Sequence, residues 1–220
     1  MHAIVLATQK GGSGKSTLAI GLAVAAMDDG HRVGMIEADP QGTVSNWGRR
    51  RSNPKPFIEH ARSGLAIGDA LLHLKRDGFT VAIIDTAATD NAVSTSAIHA
   101  ADLCLIPARP SPADIEAALP TLSTARRLDR RFAFVLNQTP VRSIRVTEAA
   151  TALNTAGVLA LPYIVQRNDH QDALGAGLGV TEYAHHGKAA EEMRGLWRWV
   201  WNKLTSESHG HGSTAIRAAN

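Results

Sequence analysis

The sequence predicts an α/β fold: a mostly parallel, twisted sheet with helices on both faces, built as a single domain. Three observations predict it. Short apolar runs recur along the chain, helix-patterned stretches lie between most of them, and a glycine-rich loop joins the first run to the first helix. Strands of a parallel sheet are covered on both faces, so they read as continuous apolar runs rather than alternating ones. Their alternation with helices is the pattern of helices packed on such a sheet. A length of 220 residues with 44% hydrophobic content suits one domain of this class, which buries roughly 70% of the surface its unfolded chain exposes.

The elements follow in order. Residues 3–8 ("AIVLAT") read as the first strand and lead into the glycine loop. The stretch "STLAIGLAVAAMDDG" (16–30) is rich in the strong helix formers Ala and Leu and closes on Gly30, a residue suited to a left-handed helix end. Further apolar runs at 32–39, 80–87, 102–108, 131–138 and 157–164 read as buried strands. Helical stretches fall between most of them, at roughly 66–76, 91–100, 112–128, 144–156 and 188–204. The segment "RRRSNPKPF" (49–57) is the least regular interior stretch and is predicted to be a surface connection. Residues 1–204 thus form the predicted domain, and 205–220, which lack apolar periodicity, a flexible tail. His209 and His211 in that tail are too few to make a metal site.

The loop carries the chemistry. "ATQKGGSGKST" (7–17) nearly matches the phosphate-binding pattern Gly, four residues, Gly, Lys, Ser or Thr, but Gln9 stands at the first glycine and a second lysine, Lys10, follows it. In such a loop successive backbone N–H groups curl around an anion and the next helix presents its positive dipole end. Gly11, Gly12 and Gly14 permit the curl, with Ser13 among them. Lys15 would reach the β- and γ-phosphates, the Ser16 hydroxyl would complete a Mg²⁺ shell, and Thr17 would add a phosphate contact. A glycine-rich turn with incidental lysines is the bland alternative, but the loop follows a strand and opens a helix, as the motif demands. The fold is therefore expected to be of the P-loop NTPase type.

Metal and water need acids at the carboxyl ends of neighbouring strands, the edge where the loop lies. Asp85 closes "VAIID", an apolar run ending in an aspartate that holds Mg²⁺. Asp39 closes "GMIEAD" and leads into the turn-forming "PQGT", which would hold its carboxylate at the site rim. One acid can serve the metal and the other the attacking water.

Composition removes other classes. One cysteine, Cys104, in the apolar "DLCLIP", permits neither an internal disulfide nor a multi-cysteine metal site and reads as a buried structural thiol. No leader pattern and no apolar run of membrane-spanning length is present, which predicts a cytoplasmic protein. Net charge is only +3, but arginines cluster at Arg49–Arg51 and at Arg126, Arg127, Arg130 and Arg131, either as solvated surface or as a face for nucleic acid.

With these segments in hand, residues 2 to about 204 resemble the ParA/MinD family of deviant P-loop ATPases, specifically the small ParA-like (ParF-like) partition proteins. The resemblance is carried by "KGGSGKST" (10–17), "EADPQGT" (37–43), "IIDTAA" (83–88), "IPARPSPADIEA" (106–117) and "LPYIVQRNDHQDALGAGLGVTEY" (161–183). It implies an ATP-sandwich homodimer in which Lys10 crosses to the phosphates bound by the other subunit. A cation delivered this way plays the role of an arginine finger, whose rate effects are roughly 10³ to 10⁵. It further implies that Asp39 orients the hydrolytic water, that Asp85 organises Mg²⁺ and Ser16 ligates it, that the segment from Pro107 lies at the dimer face near the adenine, and that Asn137 reads the adenine. Glu37, where the family often has Asp, and Ala87 and Ala88, where it often has proline, depart from the pattern.

Partition ATPases of this type bind nonspecific DNA as the ATP dimer, associate with the nucleoid, and are released when a ParB-like centromere-binding partner stimulates hydrolysis. Arg142, Arg145, Arg167, Arg194 and Arg198 lie in the half of the chain where the family's DNA-contacting basic residues fall. Because the first strand begins at Ala3, no room is expected for an N-terminal helix-turn-helix domain. A MinD-like membrane positioner is the chief competitor, since "EEMRGLWRWVWNKL" (191–204) places Met193, Leu196, Trp197, Val200 and Leu204 on one helical stripe with Trp201 at its edge. Packing against the sheet is the expected use of that stripe, with no membrane partner. The two-cysteine cluster chemistry of nitrogenase iron proteins is excluded by the lone Cys104. A small-molecule kinase or ligase, and the ATPases of conjugative DNA processing and cellulose secretion, remain as alternatives.

Overall fold

Six strands form one sheet in the computed structural model, which describes residues 1–89 and 91–206. The chain runs β1 (His2–Leu6), α1 (Lys15–Asp28), β2 (Val33–Glu37), α2 (Thr43–Arg50), β3 (Phe57–His60), α3 (Gly64–Arg76), β4 (Val81–Asp85) and α4 (Ala92–Ala100). It continues through β5 (Leu103–Ala108), α5 (Pro112–Arg127), β6 (Phe132–Leu136), α6 (Ile144–Ala156), α7 (Asn168–Gly175), α8 (Val180–Tyr183) and α9 (Lys188–Thr205). The strand order is β3-β2-β4-β1-β5-β6 and every pair is parallel. The carboxyl ends of β1, β2 and β4 therefore converge on one edge, with Leu6 and Glu37 both in register with Asp85.

Successive strand residues point to opposite faces, and both faces here are buried. Ile4 and Leu6 of β1, with Met35 and Ile83, pack under α1, α2 and α9. Ala3 and Val5, with Ile36 and Ile84, pack under α3, α4 and α5. Double burial is why the strands carry no polar alternation. The stripe predicted on the last helix is also core: Met193, Leu196, Trp197, Val200 and Leu204 are all buried against the α1 side, and the Trp197 Nε1 donates to Asp29 at 2.9 Å. A Leu196→Ala change there removes buried methyl groups at a cost of about 2–5 kcal/mol.

Two expectations need correction. Residues 157–164 do not form a strand; the segment runs beside β6 with only isolated bridges, Phe134 to Leu159 and Thr139 to Val165. Pro162 sits in its middle and has no N–H to donate to a ladder. The stretch 49–57 is not simply a surface connection either, since α2 extends through Arg50 and β3 begins at Phe57. Arg51 is anchored inward, with paired hydrogen bonds to Glu182 at 2.8 Å each and its guanidinium 4.5 Å from the Trp47 ring centre. The tail with His209 and His211 lies outside the described residues apart from its first two positions, of which Thr205 closes α9.

Candidate nucleotide-binding site

The loop between β1 and α1 has the backbone a phosphate cradle needs. Gly12 (φ +74°) and Gly14 (φ +88°) occupy the left-handed region, which side chains strain to adopt. Gly14 is the N-cap of α1, so the first N–H groups of that helix, from Lys15, Ser16 and Thr17, open toward the cleft. A side chain at Gly14 would also collide with the Asn137 amide. Asn137, buried at the end of β6, donates Nδ2 to the Ser13 carbonyl at 2.8 Å. Gln138, itself left-handed at φ 52°, donates Nε2 to the Gly12 carbonyl at 3.0 Å. The two amides brace the loop from the end of β6, two strands across the sheet from β1, a role the sequence did not single out for Gln138.

The cleft beside the loop has a volume of about 580 Å³ and is lined by Gly11, Gly12, Gly14, Lys15, Ser16 and Thr17 on one side, with Asp39 and Ala87 to Thr89 opposite. Lys15 is 6% exposed and its ammonium spans the Thr8 and Lys10 carbonyls, each at 3.3 Å. Burial lowers its pKa, and the charges of Asp85 and Asp39 act in the other direction. Asp85 is fully buried and neither of its oxygens has a hydrogen-bond partner. Burial pushes its carboxyl up to about 7, a rise partly offset by the Ser16 hydroxyl, which is near but outside hydrogen-bond geometry, and by the Lys15 ammonium. An unpartnered carboxylate beside a helix-opening serine fits a Mg²⁺ ion, which takes few protein ligands and keeps waters and phosphate oxygens. Among the described residues no cluster of three or more His, Cys, Asp or Glu side chains could hold a metal by itself.

Asp39 stands at the rim as expected, with Oδ1 accepting from the Gln41 N–H at 2.9 Å and its carbonyl accepting from the Gly42 N–H at 3.2 Å. The turn that follows is fixed by a residue outside the expected set. Glu37 is fully buried and accepts from the backbone N–H groups of Val44 at 2.8 Å and Ser45 at 3.2 Å and from the Ser45 hydroxyl. Gly42, the N-cap of α2, has no side chain for that task, so the strand-end carboxylate caps the helix from a distance. Its departure from the usual aspartate was the available signal.

Around this cleft the expected residues sort by contact. Lys10 makes no side-chain hydrogen bond or ion pair among the described residues. A smaller pocket of about 100 Å³ adjoins the loop and is lined by Gly14, Thr17, Asn137, Ile164, Arg167 and His170 among others. Pro107, by contrast, is buried within β5. Of the five arginines singled out in the C-terminal half, Arg167 is held by Glu192 at 2.6 Å, and Arg194 donates to the His185 carbonyl at 2.8 Å. Arg142, Arg145 and Arg198 are exposed and have no side-chain hydrogen bond or ion pair among the described residues. No described helix is long and apolar enough to cross a membrane.

Comparison with known proteins gives the family and the fold. The family model of the CobQ/CobB/MinD/ParA nucleotide binding domain matches residues 4–211. The chain is 28% identical over 204 residues to the maintenance of carboxysome distribution protein A of Halothiobacillus neapolitanus, covering 86% of this chain and 91% of the relative. It is 29% identical over 221 residues to the protein ParA of Rhizobium radiobacter, covering 93% and 98%. The fold matches that of the cell division ATPase MinD of Pyrococcus furiosus with a TM-score of 0.76 at 20% identity, over 92% of this chain and 99% of that one.

Proposed function

Because the chain belongs to the CobQ/CobB/MinD/ParA nucleotide-binding family, we propose that it is an ATP hydrolase that works as a nucleotide-switched homodimer and partitions DNA. The observation that carries the reading is the pair of lysines on one loop. Lys15 is turned into the cleft, whereas Lys10 has no partner among the described residues of its own chain. In the proposed cycle, the backbone N–H groups of residues 12–17 hold the β- and γ-phosphates and Lys15 leaves its two carbonyl partners to neutralise them. Lys10 enters the site of the other copy, where its charge stabilises the transferring phosphoryl group. The Asp39 oxygen not engaged by Gln41 orients the attacking water. Asp85 and Ser16 would hold Mg²⁺, which when bound draws charge from the β- and γ-oxygens. Asn137 and Gln138 keep the loop in shape, and the adjoining pocket beside Asn137 is where an adenine would lie.

In the DNA-binding step, Arg142, Arg145 and Arg198 are the free cations of the set and would meet phosphates of nonspecific DNA. A ParB-like centromere-binding partner would stimulate hydrolysis and release the dimer from the nucleoid. A membrane-surface role would need the apolar face of α9, and that face is packed against α1. A second reading keeps the same switch but changes the cargo: the likeness to a carboxysome-distribution protein over 86% of the chain favours a protein assembly moved over DNA. The test is DNA binding with ATP, with ADP and without nucleotide, at two salt concentrations. Binding confined to the ATP state and weakened by salt is expected; equal binding in all three states would remove the switch.

A further inference from the structure

The outer rim of the phosphate loop carries a cation that the cleft does not use. Arg109 follows β5 and stands beside the loop: a Cβ built on Gly12 would lie 4.0 Å from its Nη1. Its Nε donates to Asp114 Oδ1 at 2.9 Å, and the Ser111 hydroxyl donates to Asp114 Oδ2 at 2.6 Å. Asp114 sits in the first turn of α5, is 2% exposed, and also meets the positive end of that helix. Burial pushes its carboxyl up, but the hydrogen bonds from Arg109 and Ser111 and the charge of Arg109 outweigh it and hold the group below the usual range. The anchor is therefore a charged one, and it fixes a guanidinium by a single nitrogen. The Nη1 and Nη2 groups make no hydrogen bond or ion pair among the described residues, and the side chain is 36% exposed.

The same rim carries the unpaired Lys10 ammonium, and Gly11 and Gly12 between the two are exposed, with nothing within 4 Å of a Cβ on Gly11. A twofold interface is isologous, so a rim that reaches toward a second copy meets the same rim coming back. Each rim then brings Arg109, Lys10 and the single carboxylate of Asp114, so a net positive charge faces a net positive charge. Like charges at such separations repel unless an anion lies between them. A triphosphate in each loop supplies that anion.

We infer that Arg109 is an interprotomer gate: held by Asp114, it repels the opposite rim when the loops are empty and contacts the nucleoside triphosphate of the opposite copy when they are filled. Closure is thereby conditional on the ligand. The inference rests on the dimer reading above and adds to it a residue and a reason for its nucleotide dependence. The distinguishing feature is sign. Neutralising Arg109 weakens the filled dimer but relieves repulsion in the empty one, whereas a merely structural role for the Arg109–Asp114 pair weakens the filled dimer and leaves the empty chain monomeric.

The experiment is sedimentation of the full chain as wild type, Arg109→Gln and Arg109→Lys, without nucleotide and with saturating Mg²⁺ and a nonhydrolysable ATP analogue, at low and high salt. Arg109→Gln is expected to raise the dissociation constant of the filled dimer about tenfold or more and to strengthen self-association of the empty chain at low salt. Arg109→Lys keeps the charge and is expected to leave the empty state as monomeric as wild type. Weakening of the filled dimer by Arg109→Gln with the empty chain still monomeric at low salt, or no change in either state, overturns the gate. A wild type that stays monomeric with the analogue overturns the dimer reading itself, before any variant is considered.

Discussion

A carboxylate sealed from water without a hydrogen bond raises the free energy of the folded chain whenever it is charged, and Asp85 is such a group. Its folded pKa is raised to about 7 from an ordinary carboxylate value, so the folded state binds the proton more tightly than the unfolded one. The stability contributed by that proton is complete in acid and is lost as pH rises through about 7. Asp85→Asn is therefore expected to stabilise the magnesium-free chain by about 1–4 kcal/mol at pH 8 and by less than half of that at pH 5, while abolishing magnesium-dependent hydrolysis. Denaturant melts of both chains at the two pH values check this, and a pH-independent difference would contradict it. The places of Asp85 and Asp39 at the sheet edge were legible in the sequence because each ends an apolar run next to a turn. Glu37 showed only as a departure from the usual aspartate, its capping of a helix start seven residues on being invisible, and Gln138 and Arg109 did not show at all, because their importance comes from tertiary approach to a loop about a hundred residues earlier.

Among the elements, α2 depends most on a single distant group. It is eight residues long, its N-cap is a glycine, and the buried Glu37 carboxylate satisfies the N–H groups of its first turn. Isolated helices of this length are marginal. Glu37→Ala is expected to cost about 1–3 kcal/mol in chemical denaturation and to loosen the Asp39–Gly42 turn, with Glu37→Gln losing less; an unchanged denaturation midpoint would deny the cap. The strands buried on both faces and the amphipathic α9 were readable from pattern, since burial imposes it. The failures have local causes. β3 is a four-residue edge strand with exposed ends and little apolar signal. Residues 157–164 have the composition of a strand but carry Pro162, and α7 and α8 are short segments held by packing rather than periodicity.

At the scale of the molecule, the proposed function is a cycle between a free protomer and a nucleotide-bridged pair on DNA. In that cycle the arginines that remain unpaired within the described chain would set the salt dependence of DNA binding. Replacing Arg142 and Arg145 together by alanine is expected to weaken DNA binding uniformly across sequences and to flatten the plot of log affinity against log salt by about one for each DNA phosphate left without its arginine. ATP-dependent dimerisation should persist, and an unaltered slope would place the DNA elsewhere. The central claim is that each copy lends a cation to the other's triphosphate, and mixing two inactive variants tests it most directly. Lys10→Ala keeps its own cleft but lends nothing; Asp39→Ala lends Lys10 but cannot direct water. Each alone is expected to be silent in steady-state ATP hydrolysis under conditions where wild type turns over. Their mixture should recover turnover, at the Lys10→Ala cleft served by the partner's lysine. A mixture as silent as its components would contradict the account.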